Sequence, residues 1–307
     1  MDARRLHLLA ELDRLGTIAA VADELHLSAS GISMQLTALE KEVGVPLTER
    51  QGRRVALTAA GRILAGHGRD VADLLAVAAM EAQALREGTA GTYRVAAFPT
   101  AVRSFVADTW ALLAGEPERG IRLRVAELEP QDALPDLAAG RVDLAVVHAY
   151  TNMAQPAGTG TVTTRVASEP VLLATRADDP AGSAGDGRAD LEDFAHRDWV
   201  VSDRRLTCWE MTRRACGAAG FEPRAAAEAT DYASQLALVS AGAGVALIPA
   251  LGTYHIPDNV ALRTLRAPVR RHIFVAIRRA GAADPALKRL IGLLAEAART
   301  ALAEVRP

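Results

Sequence analysis

The sequence predicts a multidomain protein: a small all-α winged helix–turn–helix domain, a long linker helix, and a larger α/β domain built of two lobes. Three observations carry this. Residues 3–57 hold three short amphipathic stretches followed by a hairpin pattern. A long helical run with apolar residues seven apart begins at Thr58. From Thr92 onward, strand-like runs such as TYRVAAF, EPVLLATR and RRHIFVAIRR alternate with helix-like stretches. At 307 residues the chain is too long for one ordinary core.

Composition narrows the classes. The formal net charge is -2, which argues against binding nucleic acid over the whole surface and leaves room for a local basic face. Cys208 and Cys216 are the two cysteines, so no disulfide framework is expected. Their spacing, with no histidine pair nearby, makes a zinc site unexpected. No phosphate loop or nucleophile elbow is found, and Gly242 and Gly244 follow a helix rather than a strand, the wrong order for a dinucleotide fingerprint. No cofactor and no enzyme activity are therefore expected. MDARRLHLLAELDRLG lacks the apolar core of a signal peptide, and no apolar run reaches membrane-spanning length. The expectation is a cytoplasmic protein without a membrane partner.

Leu6, Leu9, Leu12 and Leu15 give the first helix one buried side, and Gly16 ends it. Thr17 is placed to cap a second helix through Leu25, His26 and Leu27 form the turn, and Ser28 caps a third. At 100° per residue, Ile32, Leu36, Leu39 and Val43 face inward. Ser30, Ser33, Met34, Thr37 and Lys41 fall on the other side, with Gln35 at its edge. That face is small, polar and nearly free of acid, which suits the major groove of double-stranded DNA. Hydroxyls can bond bases or phosphates, and Met34 can touch a thymine methyl. A merely solvated helix is the plain alternative. The polar loop RQGRR then turns a hairpin, with Arg50, Arg53 and Arg54 near its tip, where phosphates or a minor groove are in reach. Residues 1–90 carry ten basic and twelve acidic side chains, so any binding must rest on local charge.

Thr58 can cap a fourth helix to about Glu87, roughly 45 Å long. Leu64, Val71, Ala78 and Leu85 recur every seven residues, with Leu74 and Leu75 assigned to the same side. A helix of this length asks for a partner, and a second copy of the chain is the natural one.

Residues 5–65 resemble the winged helix–turn–helix of LysR-type transcriptional regulators. The matching pieces are AAVADELHLSASGISMQLTALEKEVGVPLTER and VALTAAGRIL, with Leu39–Glu40 in the third helix, G-x-x-L before an arginine, and L-T-x-A-G opening the linker helix. Ala29, Ser30 and Thr48 depart from the usual residues. The resemblance implies a sequence-specific DNA-binding regulator, a homodimer with a homotetramer as the larger assembly, and a small-molecule effector. It also implies a two-lobed α/β effector-binding domain of periplasmic-binding-protein-like type. The expected boundaries are 1–58, 59–90 for the linker helix and hinge, and 91–307, divided into lobe I (91–163 and 269–307) and lobe II (164–268).

In the larger domain, TYRVAAF, Ile121–Leu128, the GRVDLAVVHA run, EPVLLATR, WVVS, GVALIPALG and RRHIFVAIRR read as strands. Helices are expected around Ala133–Ala139, Cys208–Ala219, Tyr232–Ala241 and Pro285–Arg299, giving a mostly parallel sheet covered on both faces. The stretch 178–193 reads as a surface loop. By position, the effector-lining candidates are Thr100 with the adjoining Ala101, His148, Ser202, Asp203, Thr230 and Asp231. Thr100 at a helix start suits an anion, and it serves equally as a plain N-cap. Asp231 disfavours a carboxylate and favours an amine or hydroxyl. The alternative reading is a cytoplasmic solute-binding module whose N-terminal domain mainly supports oligomerisation. Gel shift on the DNA flanking its own gene separates the two.

Overall fold

The computed structural model describes residues 1–51, 54–87, 91–115, 120–156, 158, 160–179 and 187–304; for 50, 51, 54, 76, 77 and 80–87 only the backbone is described. The chain forms two compact units, Met1–Arg86 and Glu87–Pro307.

In the first unit, α1 (Ala3–Leu15) starts at Asp2, whose carboxylate accepts the Arg4 N–H, and stops at Gly16 in the left-handed region, φ 74°. The Thr17 hydroxyl accepts the Ala20 N–H and opens α2 (Ile18–Leu25). His26, at φ 54°, turns the chain toward α3 (Ala29–Val43). Ser28 caps α3 by accepting the Gly31 N–H at 3.1 Å. Leu6, Leu9, Leu12, Val21, Ile32, Leu36 and Leu39 close one core between the three helices. The hairpin strands β1 (Thr48–Gln51) and β2 (Arg54–Leu57) are antiparallel, with Gln51 opposite Arg54. Glu40 ties them to α3: one carboxylate oxygen accepts the Leu47 and Thr48 N–H groups, each at 2.8 Å, and the Thr48 hydroxyl at 2.9 Å. Helix α4 (Ala59–Glu87) begins at Thr58, which accepts the Gly61 N–H and donates to the Pro46 carbonyl.

The seven-residue series along α4 is divided by this packing. Leu64 and Val71 pack on the unit's own helical core. Ile63 and Leu74 point away from it and are exposed, so Leu74 does not share the side of Leu64. Leu75 keeps that side and is exposed beyond Val71. The glycines explain the inward side: a Cβ on Gly61 would lie 2.1 Å from the Leu47 carbonyl oxygen, and one on Gly68 2.5 Å from that of Leu6. The backbone of α4 therefore approaches the other helices as only glycine allows.

The second unit opens with β3 (Thr92–Ala97). A helix follows in three parts: α5 (Pro99–Ala101), a π-helical turn (Val102–Val106) and α6 (Ala107–Gly115). Then come β4 (Arg122–Glu127), α7 (Pro130–Ala138), β5 (Leu144–Tyr150), β6 (Thr161–Arg176), β7 (Arg188–Ala189) and β8 (Asp198–Val201). The remainder is α8 (Thr207–Ala218), β9 (Arg224–Glu228), α9 (Tyr232–Ser240), β10 (Ala246–Pro249), β11 (Val260–Leu265), β12 (Arg270–Arg278) and α10 (Pro285–Glu304). The main sheet runs β4-β3-β5-β12-β6-β11-β7, with β10 also on β6.

The expected mostly parallel sheet is corrected to a mixed one. Strand β3 is parallel to β4 and β5, but β12 is antiparallel to both β5 and β6, and β10 and β11 are antiparallel to β6. The cause is the returning chain: β12 comes back between β5 and β6 against their direction. The 16-residue β6 serves two groups of strands. It pairs with β12 as far as Pro170, and from Val171 it pairs with β10 and β11. A second core, with Trp199, Met211, Leu236 and Ile248, gathers around that far end of β6.

Candidate functional site

Two places in the chain concentrate exposed or poised chemistry. The first is the outer face of α3. Ser28, Ser30, Ser33, Met34, Thr37 and Lys41 are all exposed, Met34 at 64%. Ser33 donates to the Ala29 carbonyl and Ser30 leans on Ser28, so these hydroxyls keep acceptor capacity toward the outside. Gln35 sits differently. It is half-buried, and its amide oxygen accepts from the Arg5 guanidinium at 2.9 Å, while Arg5 also pairs with Glu42. The Gln35 amide oxygen can reach a base by exchanging that partner, while its NH2 group keeps its donors. Arg53 lies outside the described residues, as do the side chains of Arg50 and Arg54; the backbone places residues 50 and 54 on the two strands of the hairpin. Glu40, which fastens the hairpin, has no local sequence cue beyond its place after Leu39.

The second place is a cleft in the larger unit, where the ends of β3 and β5 meet the start of α9. Its inner part is lined by Phe98, Thr100, Arg103, Glu129, His148, Cys208, Thr230, Asp231, Tyr232 and Arg271 and encloses about 10 Å³, room for roughly one water. An open pocket of about 430 Å³ adjoins it, lined by Asp203, Glu228, Ala229, Thr230, Asp231 and Ser234. Of the seven candidates read from sequence, Thr100, His148, Asp203, Thr230 and Asp231 line one or both spaces. Ala101 and Ser202 are buried and line neither; Ser202 accepts a hydrogen bond from Gln235 at 2.9 Å.

Thr100 is not an N-cap. Phe98 holds that position with Pro99 after it, and the Thr100 hydroxyl accepts from the Arg271 guanidinium at 2.8 Å. Arg271 is fully buried. It pairs with Glu169 at 2.7 Å and stacks over the Phe98 ring at 4.9 Å, and the second Glu169 oxygen takes the Leu251 N–H at 2.6 Å. Burial works against its charge, but Glu169 together with the neighbouring Tyr150, Tyr232 and Cys208 outweighs that and raises its pKa. The sequence carried a partial signal for this pair: Glu169 and Arg271 stand at the heads of the apolar runs in SEPVLLAT and RRHIFVAI.

Cys208 and Tyr232 also line the inner cleft, and the buried Tyr150 hydroxyl is bonded to both. The thiol is 2.9 Å from the Tyr232 hydroxyl and 3.2 Å from that of Tyr150. Burial raises the pKa of all three groups, so they stand neutral and protonated. Cys216 is also buried and pushed up to about 12 by that burial. His148 stacks edge-on against Phe98 and Tyr150, and burial holds its imidazole below the ordinary histidine pKa. Its Nε2 lies 3.5 Å from Glu129 Oε2, long for a hydrogen bond. Among the described residues no group of three metal-ligating side chains is placed to hold a metal ion, and no helix is long and apolar enough to cross a membrane.

This architecture agrees with what the chain resembles. Residues 3–62 match the family model described as bacterial regulatory helix-turn-helix protein, lysR family, and residues 86–299 match the LysR substrate binding domain. The chain belongs to the LysR family. The small neutral protease regulatory protein of Streptomyces coelicolor is 31% identical over 301 residues, covering 96% of this chain and 92% of its own length. A probable hydrogen peroxide-inducible genes activator of Mycobacterium avium is also 31% identical, covering 91% and 88%. Among solved structures, a cysteine mutant of Corynebacterium glutamicum OxyR superposes with a TM-score of 0.61 at 20% identity, covering 98% of this chain and 93% of that one. Full-length CbnR complexed with its target DNA superposes at 0.54 and 24% identity, covering 98% and 100%. At these identities the superpositions speak for the fold. A LysR-type regulator thus has its helix–turn–helix in α2 and α3 and its substrate-binding domain from Arg86 onward.

Proposed function

We propose that this LysR-family chain binds duplex DNA through α3 and the hairpin, and that a small-molecule effector in the cleft controls it. The observation that carries the reading is the α3 face: hydroxyls, a thioether and one terminal lysine, exposed together on a helix whose other side is locked into a core. Ser28, Ser30, Ser33, Met34, Thr37 and Lys41 are the proposed contacts. Gln35 joins them after releasing Arg5, and Arg50, Arg53 and Arg54 hold phosphates from the hairpin. One such helix discriminates modestly, and pairing two copies through the exposed Ile63–Leu74 side of α4 multiplies the specificity. The working form is therefore a homodimer, with the homotetramer as the larger assembly, and its place is the cytoplasm, where the DNA is.

The cleft residues Thr100, His148, Asp203, Thr230 and Asp231 are the proposed effector contacts. The passage of β6 from β12 to β10 and β11 at Pro170–Val171, with the return between β11 and β12, is the proposed line between the two lobes. Regulation rather than catalysis is supported by the relatives, which are named as regulators. Footprinting of the full chain on the DNA flanking its own gene tests the reading. A protected site of defined sequence at nanomolar to low micromolar protein is expected, and equal affinity for that fragment and for random duplex overturns it.

A further inference from the structure

The inner cleft holds two buried acceptors that lack a donor. His148 has 1% of its side chain exposed, its Nε2 faces the Glu129 carboxylate, and its Nδ1 has no hydrogen-bond partner. In a neutral imidazole one nitrogen carries the proton and the other a lone pair. The carboxylate facing Nε2 draws the proton there, which leaves Nδ1 as an acceptor. Glu129 Oε2, which Nε2 approaches only to 3.5 Å, has no hydrogen-bond partner of normal length either. Groups so buried are costly until satisfied, and only a donor satisfies these two.

The cations nearby do not reverse this preference. Arg271 is already committed to Glu169, Thr100 and Phe98. Arg103 lines the same cavity together with Asp231, whose carboxylate its charge helps to stabilise. The adjoining open pocket is lined by the carboxylates Asp203, Glu228 and Asp231 and by no cation. Of these, Asp203 is paired with the Arg205 guanidinium, which holds its carboxyl down to about 2.

We propose that the effector carries an ammonium group and seats it against Glu129, His148 and Asp231. This deepens the cleft reading above and rests on it. A cation there supplies N–H donors to both orphaned acceptors beside a wall rich in carboxylates, whereas a carboxylate would add a third acceptor to two that already lack donors.

The test uses three probes with the same five-carbon chain and different ends: cadaverine, 5-aminovalerate and glutarate. Each is titrated into the full-length chain without DNA, at constant ionic strength and neutral pH, by calorimetry. Cadaverine and 5-aminovalerate should bind at least about tenfold more tightly than glutarate, a difference near 1.4 kcal/mol. Glu129→Gln should abolish that preference. Asp231→Asn, which keeps a capping side chain for α9, should reduce it with the melting temperature little changed. Tightest binding by glutarate, an amine preference that survives Glu129→Gln, or no binding of either amine at about 10 mM, weaker than any useful effector affinity, overturns the inference. Because DNA is absent, the outcomes separate. Amine preference in a chain with no specific site would sink the regulator reading alone, and glutarate preference in a chain that footprints its own promoter would sink only this one.

Discussion

Three glycines of one helix offer a test of the packing in the first unit, because one change should have opposite signs at neighbouring positions. Gly→Ala inside an exposed helix gains about 0.8–1 kcal/mol from propensity. At Gly66 the nearest atom to a new Cβ is the end of the Arg69 side chain at 3.9 Å, so Gly66→Ala should keep that gain. At Gly61 the new Cβ lies 2.1 Å from the Leu47 carbonyl oxygen, more than an ångström inside contact distance, and at Gly68 it lies 2.5 Å from that of Leu6. Both obstacles are backbone, and overpacking against a fixed core costs about 1–3 kcal/mol. Taking the upper end for Gly61 and subtracting the propensity gain leaves a net loss of about 2 kcal/mol, some 3 kcal/mol below Gly66→Ala. The assay can be local: residues 1–86 contain no Phe, Tyr or Trp, so tryptophan fluorescence follows the larger unit alone. Hydrogen exchange of peptides from 59–72 should show faster opening for Gly61→Ala and Gly68→Ala and slower opening for Gly66→Ala, with the tryptophan melt unmoved. If Gly61→Ala protects α4 as well as Gly66→Ala does, the close approach of α4 to Leu47 is wrong.

The buried ion pair gives a second prediction. Arg271→Met strands Glu169 and should cost about 3–5 kcal/mol in the tryptophan-monitored unfolding of the larger unit, and adding Glu169→Gln should recover part of it; a double variant as unstable as the sum of the single ones would refute the pairing. On DNA, Lys41→Ala should lower the salt slope of binding by about 0.9 if it holds one phosphate, while Met34→Ala should alter preference among sequences and leave the slope alone. Stability should fall with alkali. Cys208 and Cys216 stay protonated in the fold, Cys216 to about 12, whereas the unfolded thiols ionise near pH 8.5. The native state then binds more protons than the unfolded one, and the two thiols together remove about 2.7 kcal/mol per pH unit above that point. Urea titrations at pH 8 and 9.5 read the slope, and it should flatten in the double serine variant; an unchanged slope there would assign it elsewhere.

The first unit was legible because its signals are local. Gly16, Thr17, Ser28, Gly44 and Thr58 each act on backbone groups within a turn of themselves, and all five stand at the helix ends expected of them. What escaped was long-range. Nothing near Gln35 announces Arg5, thirty residues away, and a seven-residue repeat cannot say whether Leu64 packs on its own core or on another copy. In the larger unit the strands with continuous apolar runs were readable, while β9, RAAAE, and β11, VALRTL, were passed over. β9 is exposed apart from the half-buried Ala227, and β11 is buried only at its two ends, Val260 and Leu265, so neither shows a continuous apolar run. The extent of β6 was missed for the same reason: its first half, TVTTRVAS, is half-exposed and polar, and β12 beside it supplies the order.

The ion pair also constrains how the cleft can respond. Glu169 and Arg271 are direct cross-strand partners on β6 and β12, and β6 changes neighbours immediately after Pro170. The pair therefore sits at the two strand segments that connect the strand groups, fully buried, and its disruption would cost more than a typical effector's differential affinity of a few kcal/mol could offset. Any ligand-driven rotation must keep it intact and fall on the backbone next to it, at 170–171 and 266–270. Thr100 links that fixed point to the cleft, since its hydroxyl already accepts from Arg271 and its carbonyl takes the Ser104 hydroxyl inside the π-helical turn. An effector that touches the cleft wall beside Thr100 thus presses on a rigid pivot at one end and on a widened, less regular helical turn at the other. Of the two, the turn is the softer. Movement on binding should then appear first in Val102–Val106 and in the α9 end that carries Asp231, with β6 and β12 still protected.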